Sequence, residues 1–253
     1  MIYVTVPGDT VSSISRQSGV PVWKILYDNQ LGEEGKLTVG QALLLLKPQE
    51  SAGIRKDLYV TGYAYPFIEP YVLEMAFPAL NELLVFSYGF TFEGELVPPI
   101  QDETWMIQLA WENGIEPMLV LTPFTQGVFN NQLIQTLVEE ESVRENVITN
   151  LLKVVEEKGY VGVDVDFEYV RVQNREGYAE FIGELRAAMN EKGYSVSVAL
   201  APKTSSDQKG LLYEGIDYAL LGEQADRLFL MTYEWGYSYG PVSYTHLRAH
   251  ETL

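Results

Sequence analysis

Tyr160-Val161-Gly162-Val163-Asp164-Val165-Asp166-Phe167-Glu168-Tyr169-Val170 is a β-rich run in which three acids alternate with three apolar residues. Successive side chains of a strand point to opposite faces. Asp164, Asp166 and Glu168 therefore share one face, and Val163, Val165 and Phe167 the other. The apolar face calls for burial, while like charges held together on the opposite face resist simultaneous ionisation and leave at least one carboxyl protonated. An acid that keeps its proton near neutral pH is what protonation of a glycosidic leaving oxygen requires, so the run points to sugar chemistry. A solvent-facing side of an antiparallel strand also carries alternating acids, but like charges at every second position of a short strand are costly.

Outward from this run, strand-like and helix-like segments alternate. Strands are expected at Leu58–Ala64, Leu83–Phe90, Pro117–Leu121, Val161–Glu168, Ser195–Leu200 and Arg227–Tyr233. Helices are expected near Asp102–Asn113, Asn131–Lys158, Asn174–Lys192 and Tyr213–Ala225. Repeated β-α units imply a parallel sheet with right-handed crossovers. Apolar strands wrapped by amphipathic helices, with chemistry at several strand ends, favour an α/β barrel of (β/α)8 type over an open sheet. No Gly-x-Gly-x-x-Gly or Walker sequence follows any strand, so no nucleotide cofactor is expected.

The chain has 253 residues, 47% of them hydrophobic, enough for one large domain or a large and a small one. Lys plus Arg number 17 against 35 Asp plus Glu, and the net charge of −18 disfavours nucleic acid and anionic membranes as partners. There is no cysteine, and both histidines, His246 and His250, lie in the last eleven residues. Histidine-based triads, thiolate ligands and zinc sites are thus excluded from the body of the chain, and no metal is expected. No run of about 18 apolar residues and no basic-then-apolar leader occurs, so neither membrane insertion nor ordinary secretion is expected. Residues 243–253, rich in His and Arg within an otherwise acidic chain, read as a non-native tail.

Residues 1–47 read as a separate β-α-α-β unit: a strand over Ile2–Val6, a turn at Pro7–Thr10, helices over Val11–Gln17 and near Val22–Asn29, and a closing strand over Leu37–Leu46. Asp9 or Thr10 can cap the first helix, Gly19 ends it, and Pro21 opens the second. Residues 48–56, polar and bearing Pro and Gly, read as a linker to a second domain over 57–242. The spacing Val4-x-x-x-Gly8-Asp9-Thr10-Val11-x-x-Ile14, with Leu26-x-x-Asn29-x-Leu31 and Val39-Gly40-Gln41-x-Leu43, closely resembles the lysin motif, LysM. The resemblance implies binding of N-acetylglucosamine-containing glycans in a shallow groove. Gly8, Asp9, Thr10 and Val11 would form one wall and Asn29, Gln30 and Leu31 the other.

Asp164-x-Asp166-x-Glu168 closing a fourth barrel strand, with Met231-Thr232-Tyr233-Glu234-Trp235-Gly236 closing a sixth, resembles glycoside hydrolase family 18. With the LysM segment in front, the nearest likeness is to the spore cortex-lytic, germination-associated branch, which includes N-acetylglucosaminidases acting on peptidoglycan. The resemblance implies substrate-assisted retaining hydrolysis, the family's exception to the two-carboxylate scheme. In it Glu168 protonates the leaving oxygen, the 2-acetamido carbonyl of the substrate attacks the anomeric carbon, and Glu168 then activates water. Asp166 would accept the acetamido N–H, Asp164 would share a proton with it, and Tyr233 would donate to the acetamido oxygen. Glu234 and Trp235 would contact the sugar, and Tyr63, Tyr65, Phe90 and Phe124, at or just after strand ends, could serve as aromatic platforms.

The match departs from the family at Val161, where many members carry an additional Asp, and in strand number, since six strands are legible where a barrel has eight. An open barrel would expose strand edges and put activity in doubt. The expectation is a spore or cell-wall-associated β-N-acetylglucosaminidase whose LysM raises its local concentration on peptidoglycan. Alternatives are a non-catalytic glycan-binding protein with the same two domains, or a general chitinase.

Overall fold

The computed structural model describes residues 2–32, 35–46, 59–125 and 128–232, which fall into two compact units, one ending at 46 and one beginning at 59. In the first, β1 (Ile2–Val4) is followed by α1 (Val11–Ser18), α2 (Val22–Asp28) and β2 (Ala42–Leu44), and the two strands pair antiparallel. Thr10 caps α1: its hydroxyl accepts from the Ser13 N–H, and the Ser13 hydroxyl accepts from the Thr10 N–H. Gly19 closes that helix in the left-handed conformation (φ 74°). Val11, Ile14, Val20, Ile25, Leu43 and Leu45 fill a small core, so the three-residue spacing of Val11 and Ile14 does place both on the buried face.

The second unit runs β3 (Thr61–Ala64), α3 (Pro70–Ala76), β4 (Glu82–Phe90), β5 (Leu96–Val97), α4 (Thr104–Glu112), β6 (Glu116–Leu121), β7 (Phe124–Thr125), β8 (Val128–Phe129), α5 (Asn131–Glu139), α6 (Glu141–Lys158), β9 (Gly162–Val165), α7 (Arg175–Asn190), β10 (Ser195–Leu200), α8 (Tyr218–Gln224) and β11 (Arg227–Leu230). Six of these strands form one parallel sheet in the order β11-β10-β9-β6-β4-β3, with β5 antiparallel on β4 and β7–β8 a separate hairpin. The sheet curls into a partial barrel. Tyr63 on β3 and Phe229 on β11, at opposite ends of the strand order, bring their rings to 5.3 Å.

Two faces follow from strand parity. Outward-facing Leu83, Val85, Leu119, Leu121, Val163, Val165, Val196 and Val198 pack under the helices. Inward-facing Leu84, Met118 and Val120 make a separate apolar lining with Tyr63, Phe86 and Val161. The helices supply matching stripes, such as Val143, Val147, Leu151 and Val155 at four-residue spacing on α6. Gly162 opens β9 because a Cβ there would lie 2.1 Å from the Ser195 carbonyl oxygen of the neighbouring strand.

The single helix expected over Asn131–Lys158 is two helices, broken at Glu140 in an extended conformation (φ −114°, ψ 106°). After Leu137 the next turn offers Glu139, Glu140 and Glu141 instead of an apolar residue, and the stripe restarts at Val143, out of phase. Arg144 spans the break, donating to the Val138 carbonyl and pairing with Glu184 at 3.0 Å. At the N-terminal ends of the strands, buried Glu82 on β4 accepts from Arg227 on β11 at 2.5 Å, from Thr61 at 3.0 Å and from Tyr59 at 3.2 Å. These partners offset the cost of burying the carboxylate.

Candidate active site

β9 carries the acidic ladder into the barrel. Its hydrogen bonding continues one residue past the strand, with the Asp166 N–H donating to the Leu121 carbonyl at 2.9 Å. Asp164 is fully buried and Asp166 is 6% exposed, while Glu168, two residues farther along, is half-buried at the strand mouth. Val163, Val165 and Phe167 all sit in the core under the helices, so the expected division of faces is present. Tyr169, the next residue, takes a left-handed backbone (φ 59°), a costly state for an aromatic residue and of a kind that clusters at functional sites.

The two buried acids differ in how their oxygens are used. Asp164 accepts from the Tyr63 hydroxyl at 2.6 Å and from the Ser197 hydroxyl, which faces it in register on β10. Burial pushes its carboxyl above the usual range, against those two hydrogen bonds. Asp166 is pushed up to about 8, by burial first and then by the charges of Asp164 and Glu168. Its Oδ1 is buried with no hydrogen-bond partner among the described residues. Among the described residues the two acids are linked by charge, and Asp164 is held by the Tyr63 and Ser197 hydroxyls.

The expected aromatic platforms divide. Tyr65 is 48% exposed, stacked on Phe67 at 4.9 Å and tilted against Phe86 at 4.8 Å, and so presents an open aromatic surface at the end of β3. Phe124 is half-buried in the β7–β8 hairpin, edge-on to Phe129 at 5.3 Å. Tyr63 is half-buried on the inner face, and its hydroxyl donates to Asp164. Phe90 is corrected to core: it is 1% exposed and stacked on Phe167 at 5.8 Å. The cause is a register shift in β4 between Val85 and Tyr88, which reverses the parity of every later side chain. Tyr233, Glu234 and Trp235 lie outside the described residues.

Two groups were not singled out from sequence. Ser197 was foreshadowed by polar residues at alternate positions of Ser195-Val196-Ser197-Val198, which belong to an inward face. Tyr178, on α7, stacks on Phe167 at 5.4 Å and has a buried hydroxyl with no partner among the described residues. Burial raises its pKa, followed by the charges of Asp166 and Asp164. An aromatic inside a helical stripe carries no sequence mark that separates this position from ordinary core.

In the N-terminal unit most of the expected groove side chains have structural work. Val11 is 6% exposed, inside the core. The Asp9 carboxylate accepts from the Val6 N–H at 2.7 Å and the Tyr3 hydroxyl at 2.9 Å. Asn29 bonds both edges of Leu44 and the Ile25 carbonyl, tying α2 to β2. Leu31 packs on the core. Gly8, Thr10 and Gln30 are exposed, Gly8 and Gln30 with left-handed backbones (φ 92° and 51°). Trp23 and Tyr27, one turn apart on α2, are 65% and 79% exposed. Among the described residues no group of three or more His, Cys, Asp and Glu is placed to hold a metal ion, and no helix is long and apolar enough to cross a membrane.

Residues 3–45 match the LysM domain and residues 127–246 match Glycosyl hydrolases family 18, which bears out both resemblances. The cortical fragment-lytic enzyme of Bacillus subtilis (strain 168) is 36% identical over 167 residues, 66% of this chain and 38% of that protein. That of Bacillus anthracis is 34% identical over 164 residues, 65% of this chain and 38% of that protein. The crystal structure of the Bacillus cereus spore cortex-lytic enzyme SleL superposes with a TM-score of 0.70 at 30% identity, covering 96% of this chain and 56% of that one. A chitinase from Chromobacterium violaceum, 22% identical with a TM-score of 0.65 over 71% of this chain and 57% of its own, shares the barrel fold. The chain thus spans well under two thirds of the length of these relatives.

Proposed function

We propose that this chain, with a LysM domain ahead of a family 18 glycosyl hydrolase stretch, is a β-N-acetylglucosaminidase acting on spore cortex peptidoglycan. The observation that carries the proposal is the ladder Asp164, Asp166, Glu168: two acids sealed in the barrel and a third at its mouth, with one oxygen of the middle acid unpartnered among the described residues. An orphan buried acceptor costs free energy unless a ligand donor fills it, and the N–H of a 2-acetamido group is such a donor.

On this reading the substrate lies across the C-terminal ends of the strands, the face where barrel enzymes carry their chemistry. Glu168 protonates the glycosidic oxygen as the C1–O bond breaks, and the acetamido carbonyl oxygen of the same sugar closes on C1. Asp166 holds the acetamido N–H, fixing the carbonyl for attack and balancing positive charge as it spreads into the ring that forms. The apo Asp166 carboxyl, pushed up to about 8, is protonated near neutrality; the N–H of a bound acetamido group favours its carboxylate form, and the proton leaves to solvent as the substrate binds, before the cation develops. Asp164, anchored by Tyr63 and Ser197, keeps a second carboxyl behind it at fixed distance. Glu168 then removes a proton from water, which opens the ring with retention at C1. Tyr233, Glu234 and Trp235 are assigned to the acetamido oxygen and the sugar from the family pattern alone, and Tyr65 and Phe124 remain candidates for stacking.

The partners are N-acetylglucosamine glycans of peptidoglycan or chitin type, and the setting is the spore or cell wall, with 1–47 assigned to glycan anchoring and 57–242 to hydrolysis. The cortical fragment-lytic enzymes support the cortex as substrate. The test is mass spectrometry of the products formed from cortex fragments and from chitin oligosaccharides by the chain and by Glu168→Gln. Cleavage of cortex fragments that is lost in the variant supports the proposal. Binding without cleavage by the unsubstituted chain sinks it in favour of a glycan-binding role.

A further inference from the structure

Beside the acidic ladder, three segments at the C-terminal ends of β6, β9 and β10 enclose a cavity of about 460 Å³ lined by Phe129, Asn131, Tyr169, Arg171, Leu211 and Glu214, among others. It is a built feature. A Cβ on Gly215 would fall 1.9 Å from the Val170 carbonyl oxygen, so the segment bearing Leu211 and Glu214 is pressed directly onto the one bearing Tyr169 and Arg171. Tyr169 is the residue after Glu168, so one wall of the cavity continues directly from the acidic ladder along the chain.

Its charges are not balanced. Arg171 donates from Nη1 to the Gln135 side-chain oxygen at 2.9 Å and from Nη2 to that of Asn131 at 3.2 Å, both neutral amides. Among the described residues no carboxylate lies within ion-pair distance of it. The one acid of the lining, Glu214, is paired with Lys209 at 3.1 Å. In a chain of net charge −18, a guanidinium held by two neutral amides and facing a cavity is a local reversal of sign. Two of its five N–H donors are used in those bonds, which orient the rest without neutralising the charge.

We infer that this cavity receives a carboxylate-bearing substituent of the glycan, a lactyl or stem-peptide carboxylate on the sugar next to the scissile bond, with Arg171 as its ligand. The assignment rests on the peptidoglycan-directed reading of the ladder and sharpens it, because a neutral N-acetylglucosamine polymer offers no such group. Phe129 and Leu211 supply apolar walls for the carbon skeleton of the substituent.

The experiment measures binding, so it is independent of turnover. The Glu168→Gln chain is titrated with muramyl-peptide fragments carrying free carboxylates and with the same fragments methyl-esterified. The acid form is expected to bind at least tenfold more tightly, the size of one charge-assisted hydrogen bond. Net charge alone would favour the ester, so the direction is diagnostic. Adding Arg171→Gln is expected to erase the difference by weakening the acid form and leaving the ester within twofold. Equal binding of acid and ester by the chain with Arg171 intact overturns the inference and needs no stable variant. So does an equal loss on both ligands in Arg171→Gln. Failure of hydrolysis with intact discrimination would count against the glycosidase reading alone.

Discussion

The polar side chains of the small unit's motif are spent on its own fold, whereas the barrel unit, beside its paired acids, also keeps buried polar atoms without partners among the described residues. Asn29 uses both ends of its amide on α2 and β2, Asp9 on its own turn, and Thr10 on the first turn of α1. In the barrel, Asp166 and Tyr178 keep buried polar atoms without partners among the described residues. Residues that make a motif recognisable can therefore be residues that hold it together, whereas chemistry is marked by buried groups whose partner is missing. On the proposed reading, this criterion assigns glycan recognition in the small unit to its exposed backbone and exposed side chains, and substrate positioning in the large one to interior carboxyls.

The sharpest break of this contrast is Glu168→Gln, expected to lower hydrolysis by about 10²–10⁴-fold with the unfolding midpoint unchanged. Loss of fold together with activity would show that the barrel also spends its acids on stability. Next comes the pH dependence set by Asp166. Its folded pKa of about 8 stands above the unfolded value, so the folded state binds more protons and the stabilising contribution is present at low pH and lost as pH rises toward 8. The slope per group is at most about 1.4 kcal/mol per pH unit, and Asp164, also raised, adds to it. Urea titrations between pH 5 and 8 should show stability falling in the unsubstituted chain and a shallower fall in Asp166→Asn. Equal slopes would mean that the carboxyl is not buried as described.

In the small unit the same type of change should act on the fold alone. Asn29→Ala leaves the Leu44 N–H and carbonyl unpaired and should cost about 1–3 kcal/mol in the unfolding of that unit, with glycan binding lost only as unfolding proceeds. Weakened binding by a fully folded Asn29→Ala would return the side chain to the groove. Thr10→Ala, which removes the cap, should cost about 1 kcal/mol by the same measurement.

The sheet was legible because its strands obey a two-residue period and its helices a longer one, and Val163, Val165 and Phe167 went where that period sends them. Legibility failed where something non-periodic intervened. The shift in β4 between Val85 and Tyr88 carries Phe90 from the expected inner face to the helix side, and no residue in Phe86-Ser87-Tyr88 announces it. The break at Glu140 was readable in principle from three consecutive acids where the stripe needed an apolar residue. α3, only seven residues long, opens on Pro70 with one buried side chain, Leu73, too little for a period to form. Of the site, the acids followed from parity alone, whereas the partners of Asp164 did not: Ser197 depends on the register of β10 against β9, and Tyr63 on β3 is brought beside it only by the curl of the sheet.

The pairing of Glu82 with Arg227 joins positions 145 residues apart, and it bears on how the chain is made. On a ribosome Glu82 emerges long before its cation. Until β11 is synthesised, a sheet that packed β4 fully would seal in a carboxylate with only hydroxyl partners, Thr61 and Tyr59. That cost discourages premature closure of the nascent sheet, and the loop entropy of so distant a contact is met only at the end. Arrival of Arg227 is thus expected to act as a checkpoint in the assembly of the curled sheet. Stalled nascent chains ending before residue 227 should remain protease-sensitive at β4, and those extending past β11 should become protected.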